Sequence, residues 1–109
     1  MARNILGEFE HQVMLALLRL GRSAYSAPIV TELEARTGRP VRSAAVYIAL
    51  RRLDDKGLVT SSMASPGAEG GRDRRHFQVT SEGLRRLREA RAAYERLWEG
   101  LDSRLEEIR

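Results

Sequence analysis

The sequence of 109 residues contains no cysteine and only two histidines, His11 and His76. Without cysteine the chain can form neither a disulfide framework nor a cysteine-based metal or redox centre. Two histidines are too few for a multi-histidine metal site within one chain, so we expect no metal and no cofactor. Long apolar runs are absent too, because none approaches the roughly 18–20 residues of a membrane span.

Signals for export and for catalysis are also missing. Met1 leads into Arg3 and Asn4 with no apolar segment or cleavage site behind them, so we expect a cytoplasmic protein without a membrane partner. There is no nucleophile–base pair and no Rossmann motif, and Gly70-Gly71 lacks the Lys-Ser/Thr that would complete a P-loop. We therefore do not expect an enzyme.

Positive charge is present, but it is concentrated in one part of the chain. Residues 39–75 hold seven arginines and the only lysine, Lys56, against four acidic residues, whereas residues 1–38 and 76–109 are each balanced. This middle third therefore carries the whole formal net charge of +4. A local positive field favours a polyanion such as nucleic acid, although so small a total also fits an arginine-rich protein with no such partner.

Apolar residues at i, i+3 and i+4 spacing predict three helices in the first half of the chain, over residues 7–20, 26–37 and 43–56. Ser26 and Ser43 are the expected N-caps of the second and third helices. The first helix is apolar nearly all round between Val13 and Leu18, and such a helix must be covered on more than one face. A partner subunit is a candidate for the second cover.

Two strands are predicted next, over residues 58–63 and 74–80, around a glycine-rich connection that indicates a β-hairpin. The loop at the tip, over residues 65–73, is longer than a tight turn requires, and the wing as a whole spans residues 64–75. The order of three helices, a hairpin and a further helix predicts a mainly α fold, a winged helix-turn-helix. We divide the chain into a DNA-binding domain, residues 1–81, and a C-terminal dimerisation helix, residues 82–109.

The C-terminal segment shows an a/d heptad pattern with Arg91 as its one polar interruption. As one helix, residues 82–109 would extend about 42 Å and overhang a globule whose radius of gyration is about 12 Å. An overhanging apolar stripe predicts a homodimer, and the alternative is a helix folded back on its own body. The predicted interface residues are Phe9, Val13, Leu84, Leu87, Tyr94, Trp98, Leu101 and Leu105.

Several segments resemble the PadR family of bacterial transcriptional regulators. They are residues 6–10 (Leu-Gly-Glu-Phe-Glu), 45–53 (Ala-Val-Tyr-Ile-Ala-Leu-Arg-Arg-Leu), 56–59 (Lys-Gly-Leu-Val), 70–72 (Gly-Gly-Arg) and 77–83 (Phe-Gln-Val-Thr-Ser-Glu-Gly). The resemblance covers nearly the whole chain, and the third helix with the Gly-Gly-Arg wing is its most specific part. It implies a homodimeric repressor with a C-terminal dimerisation helix.

The resemblance also implies which residues contact double-stranded DNA. With the third helix in the major groove and the wing on the adjacent minor groove or backbone, the candidates are Arg42, Ser43, Tyr47, Ile48, Arg51, Arg72 and Arg74. Each has another reading: Tyr47 could pack against the wing, Ser43 could only cap the helix, and Arg51 could pair with Asp55. Ile48 stands where relatives often carry a smaller or polar residue or proline, so the base preference stays open.

Trp98 is the only tryptophan, and it lies on the predicted dimer stripe. Two such side chains at a helix crossing could form a slot for a planar aromatic ligand, and some relatives sense aromatic compounds. The simpler interpretation is that Trp98 fills the interface. A winged-helix adaptor that binds protein and no DNA is the alternative to the regulator.

Overall fold

The computed structural model describes residues 6–21, 24–64 and 74–107. Within these residues, five helices and two strands follow in the order α1 (Glu8–Leu20), α2 (Ser26–Thr37), α3 (Ser43–Asp55), β1 (Val59–Ala64), β2 (Arg74–Val79), α4 (Ser81–Trp98) and α5 (Asp102–Glu107). This order confirms the predicted mainly α, winged helix-turn-helix class.

A single core lies between the first three helices and the base of the hairpin. Val13, Ile29, Val46, Leu50 and Phe77 are at most 1% exposed, so each of these elements contributes side chains to it. The α2–α3 turn begins at Gly38, whose φ of 71° is the left-handed conformation that glycine adopts without strain. The carboxylate of Glu34 accepts a hydrogen bond from the Val41 backbone N–H at 2.9 Å, which fixes the path into α3.

The two expected serine caps are wrong by one residue. Tyr25 and Arg42 occupy the N-cap positions of α2 and α3, with extended backbones and no side-chain cap hydrogen bond. Ser26 and Ser43 are instead the first residues of their helices. Sequence reasoning selected them because serine favours caps, whereas the turn from the preceding segment sets where each helix begins.

An isolated antiparallel bridge connects the hairpin to the segment before α2. β1 and β2 pair antiparallel from Val59 opposite Val79 to Ala64 opposite Arg74. On the other edge of β2, Ala24 and Phe77 exchange two backbone hydrogen bonds of 3.0 and 2.8 Å. These bonds fix β2 to the segment before α2.

A partly buried ion pair between Glu10 and Lys56 connects α1 to the end of α3. The Glu10 carboxylate accepts hydrogen bonds from Lys56 Nζ at 2.7 Å and from the Gly7 backbone N–H at 3.1 Å. Burial alone would raise the pKa of Glu10, but the hydrogen bonds from Lys56 and Gly7 and the positive charges of Lys56 and Arg52 bring it below its ordinary value. Glu10 is therefore held as a carboxylate although its side chain is only 11% exposed.

Helix α4 begins at Ser81, one residue before the start of the predicted C-terminal helix, and Thr80 is its N-cap. The Thr80 hydroxyl accepts a hydrogen bond from the Gly83 backbone N–H at 3.0 Å, as an N-cap side chain does. Gly83 also allows α4 to approach the hairpin closely, because a Cβ there would overlap the carbonyl oxygen of Leu58. This contact sets the direction in which α4 leaves the domain.

The prediction of one continuous helix over residues 82–109 is wrong. Helix α4 ends at Trp98, and a turn containing Gly100, with φ of 80°, separates it from the short α5. Hydrophobic spacing continues across this turn and gave no signal of it, whereas glycine favours the left-handed conformation that ends helices.

The C-terminal helices nevertheless extend beyond the domain. The molecule measures 55 × 32 × 22 Å, and the large apolar side chains of Tyr94, Leu97, Trp98, Leu101 and Leu105 are all more than 40% exposed. The overhanging apolar surface predicted from the heptad pattern is therefore present. Among the described residues, no helix combines the length and the apolar character that a membrane crossing requires.

Candidate nucleic-acid interface

Helix α3 has one buried face and one exposed face. Val46, Ala49, Leu50 and Leu53 pack into the core, because positions i, i+3, i+4 and i+7 lie on one side of a helix. The remaining positions leave Arg42, Ser43, Tyr47, Ile48 and Arg51 on the exposed side. Tyr47 and Ile48 are 39% and 52% exposed, so two large neighbouring side chains are available to a partner on this face.

The Tyr47 side chain has two distinct environments. Its ring meets the Phe77 ring edge-on with centroids 6.2 Å apart, so it does pack against the base of the hairpin. Its hydroxyl accepts a hydrogen bond from Arg51 Nη1 at 3.3 Å. The packing role and an outward-facing hydroxyl are therefore compatible, since the ring is supported from one side while the side chain stays exposed.

The electrostatic environment of the Tyr47 hydroxyl is positive. The hydrogen bond from Arg51 lowers the pKa of Tyr47, and the charges of Arg51 and Arg75 act in the same direction. Arg51 makes no ion pair with Asp55 among the described residues. The hydrogen bond to Tyr47 is the main cause that raises the pKa of Arg51, and the charges of Asp55 and Asp54 add to it. The guanidinium groups of Arg51 and Arg75 and the hydroxyl of Tyr47 thus lie together where α3 meets the hairpin, and all three can donate hydrogen bonds to anionic oxygen atoms.

Arg75 is a member of this surface that sequence reasoning missed. Its Nη1 donates to Ser61 Oγ at 3.1 Å, and Ser61 Oγ donates to Asp54 Oδ2 at 3.0 Å, so the three side chains connect both strands to α3. The signal was available, because alternation along a strand places Arg75 on the same face as the buried Phe77. The sequence prediction names Arg72 and Arg74 as the DNA-contacting arginines of the wing and omits Arg75.

Arg74 lies on the opposite face of β2. Its guanidinium carbon is 4.4 Å from the centroid of the Tyr25 ring, and the Tyr25 and His76 rings are 5.5 Å apart. Within residues 6–21, 24–64 and 74–107, no carboxylate pairs with Arg74. The other predicted wing contact, Arg72, lies outside the described residues, as does the rest of the loop at the tip.

A second surface feature is the groove between α1 and α4, with a volume of about 590 Å³. The residues that line it, which define the α1/α4 groove below, are His11, Leu15, Leu18, Leu84, Leu87, Arg88, Arg91, Tyr94, Glu95 and Trp98. Burial in this wall lowers the pKa of His11 and favours its neutral form. The groove brings together Leu84, Leu87, Tyr94 and Trp98 of the predicted dimer residues, but Leu87 is only 7% exposed and belongs to the core of its own chain.

The remaining predicted dimer residues lie elsewhere. Val13 is fully buried in the core of its own chain, so its side chain offers no surface to a second molecule. Phe9 is half-buried and faces Ala45 and Ile48 of α3, away from the groove. Leu101 and Leu105 are 43% and 54% exposed beyond the end of α4. The periodicity of α1 identified its apolar character correctly, but it did not separate the core face from the outer face.

Comparison with known proteins gives consistent results. Residues 14–89 match the family model described as the transcriptional regulator PadR-like family. The fold resembles the crystal structure of a PadR family transcriptional regulator from Eggerthella lenta, with 34% identity, coverage of 89% of this chain and 82% of that chain, and a TM-score of 0.68. A search among curated proteins finds no match.

More distant structures share the same fold. A PadR family regulator from Clostridium difficile aligns with a TM-score of 0.76 at 20% identity, over 91% of this chain and 99% of that one. Bacillus subtilis PadR, solved in complex with operator DNA, aligns with a TM-score of 0.63 at 16% identity. That alignment covers 74% of this chain and 45% of the other.

Proposed function

This chain belongs to the PadR-like family of transcriptional regulators, and we propose that it acts as a homodimeric repressor of a near-palindromic operator. Residues 1–81 form the DNA-binding domain, and residues 82–109 form the dimerisation segment. Helix α3 enters the major groove, and the wing contacts the adjacent minor groove or backbone. The observation that carries the proposal is the cluster of Tyr47, Arg51 and Arg75 where α3 meets the hairpin, in which Tyr47 and Arg51 are exposed and Arg75 is half-buried.

Each group in the α3 surface suits a particular DNA contact. Arg42 and Ser43 stand at the first turn, where backbone N–H groups also favour phosphate. Arg51 can bind phosphate or the two acceptors of guanine, and the Tyr47 hydroxyl suits a phosphate oxygen because the neighbouring guanidinium groups favour negative charge there. Ile48 is exposed on the same face and fits the methyl group of thymine.

Dimerisation is the function that we propose for the α1/α4 groove. Its half-exposed leucines and aromatic residues would be covered by the C-terminal helices of a second copy across a two-fold axis. Such a dimer would place two α3 helices about 34 Å apart, which is the spacing of successive major grooves on one side of B-DNA.

A ligand response is the third part of the proposal. Trp98 is 49% exposed and lines the α1/α4 groove, so the paired tryptophans of a dimer would offer flat apolar walls to a planar aromatic molecule. Such a molecule would release DNA if it bound the DNA-free dimer more tightly than the DNA-bound one.

The proposal is tested by fluorescence anisotropy with a duplex from the region upstream of the gene and a scrambled duplex of equal length. We expect nanomolar binding to the former, weaker binding to the latter, and a steep loss of affinity as salt rises. An affinity that is equal for both duplexes and insensitive to salt would contradict the proposal. No binding at low salt together with a specific protein partner would favour the adaptor.

A further inference from the structure

We propose that Tyr25 is a positioning residue for DNA binding, which holds the Arg74 guanidinium at the base of the wing so that it meets the phosphate backbone. The inference rests on the proposed function, because it assumes that the wing approaches DNA. It adds a residue from the segment before α2, which neither the helix pattern nor the wing motif indicates.

Backbone pairing places Tyr25 beside the wing. Because Ala24 is bridged to Phe77 by two backbone hydrogen bonds, the next residue along, Tyr25, lies across from His76, and Arg74 lies diagonally beyond. The Tyr25 and His76 rings are 5.5 Å apart with a 43° angle between their planes. The Arg74 guanidinium is 4.4 Å from the Tyr25 centroid, within the range of a cation–π contact.

Stacking leaves the hydrogen-bonding capacity of Arg74 available. A guanidinium stacks through its flat face, whereas its five N–H donors lie in the plane of the group. Arg74 is exposed and has no carboxylate partner among the described residues. The α2 helix beside it carries no acidic residue in its first turn. The group is thus fixed in direction and still free to donate to an anion.

The neighbouring arginine shows the opposite arrangement. Arg75 points to the other face of β2 and donates to Ser61, which is itself bonded to Asp54. One arginine of the pair is therefore bound within the protein, while the other contacts an aromatic ring and, among the described residues, no carboxylate. Holding a long side chain in place before binding reduces the conformational entropy that the complex must lose.

The test measures how the affinity for a random 30-base-pair duplex depends on salt, with the full chain. In Arg74→Gln, the slope of log affinity against log salt should become shallower by about 1.8 for a dimer, about 0.9 for each lost phosphate contact. Tyr25→Leu should produce most of the same change although Arg74 keeps its charge. Tyr25→Phe should keep the wild-type slope, and the Tyr25→Leu Arg74→Gln double variant should lose no more than Arg74→Gln alone.

The fold should survive these changes, because the Ala24–Phe77 bridge is formed by backbone atoms, and circular dichroism checks this. If Tyr25→Leu does not fold, the wild-type protein still provides a test by NMR, with the side-chain proton signals of Arg74 assigned by their absence in Arg74→Gln. If Arg74 stacks on Tyr25, the ring current of Tyr25 should shift these signals upfield of those of the other arginines. A signal at the position of a free arginine would overturn the inference.

The outcomes separate the two proposals. A wild-type slope in Tyr25→Leu or in Arg74→Gln, together with lost binding in a variant of the α3 surface, overturns the role of Tyr25 and leaves the proposed function standing. A wild-type protein that binds no duplex at low salt overturns both.

Discussion

Replacing Leu15 and Leu18 by serine should separate the proposed dimer into monomers. These leucines of α1 are 47% and 45% exposed in the isolated chain, and both line the α1/α4 groove. Burying a leucine side chain completely is worth about 1.5–3 kcal/mol, so the exposed half of each leaves roughly 1 kcal/mol to be gained on association. Two leucines in each of two protomers give about 4 kcal/mol, or about a thousandfold weaker dimerisation.

Sedimentation equilibrium measures this change directly. The matched control is Ile48→Ser, since Ile48 is 52% exposed on α3, outside the proposed dimerisation segment, and does not line the α1/α4 groove. The control should dimerise like the wild type, and circular dichroism should show that both variants keep their helices. A double variant with the wild-type dissociation constant would refute the reasoning and place the interface on another surface.

Three further predictions concern single residues. Glu10→Gln should lower the free energy of unfolding, measured in urea at pH 7, by about 1–3 kcal/mol. Because folding lowers the pKa of Glu10, the extra stability of the wild type should disappear as pH falls below about 4.3. A stability difference between the two proteins that persists at pH 2 would contradict the role of the Glu10 carboxylate. Burial in the α1/α4 groove already lowers the pKa of His11, and a second copy covering the groove would bury His11 further. Protonation below about pH 6.5 should therefore weaken the dimer in sedimentation, and by more than in His11→Gln. Two arginines and a glutamate of α4 also line the groove, so equal pH profiles for the two proteins would exclude His11 as the titrating group. Gly83→Ala should lower the melting temperature although alanine favours helices by about 1 kcal/mol, because its Cβ would overlap the Leu58 carbonyl; a higher melting temperature would show that α4 can shift.

The sequence predicted those features that depend on local periodicity. Three helices, the hairpin and the start of α4 to within one residue were all visible, because apolar spacing acts over one or two turns. The break after Trp98 was missed, since the heptad pattern runs on through Gly100. Val13 was misplaced because a helix that is apolar all round does not show which face meets its own core.

The candidate site was predictable only along individual elements. The exposed face of α3, with Tyr47 and Arg51, followed from helical spacing. The Arg74–Tyr25 stack was missed because it depends on the Ala24–Phe77 bridge, and such pairing between distant segments leaves little local signal.

The central claim is that the exposed face of α3 binds DNA, and one comparison tests it most directly. The affinity for the duplex from upstream of the gene is measured for the wild type, for Tyr47→Ala Arg51→Ala, and for Arg96→Ala, which removes one positive charge from an exposed position on α4. We predict that the double variant remains dimeric and loses specific binding, while Arg96→Ala binds like the wild type. A folded, dimeric double variant with wild-type affinity would contradict the account.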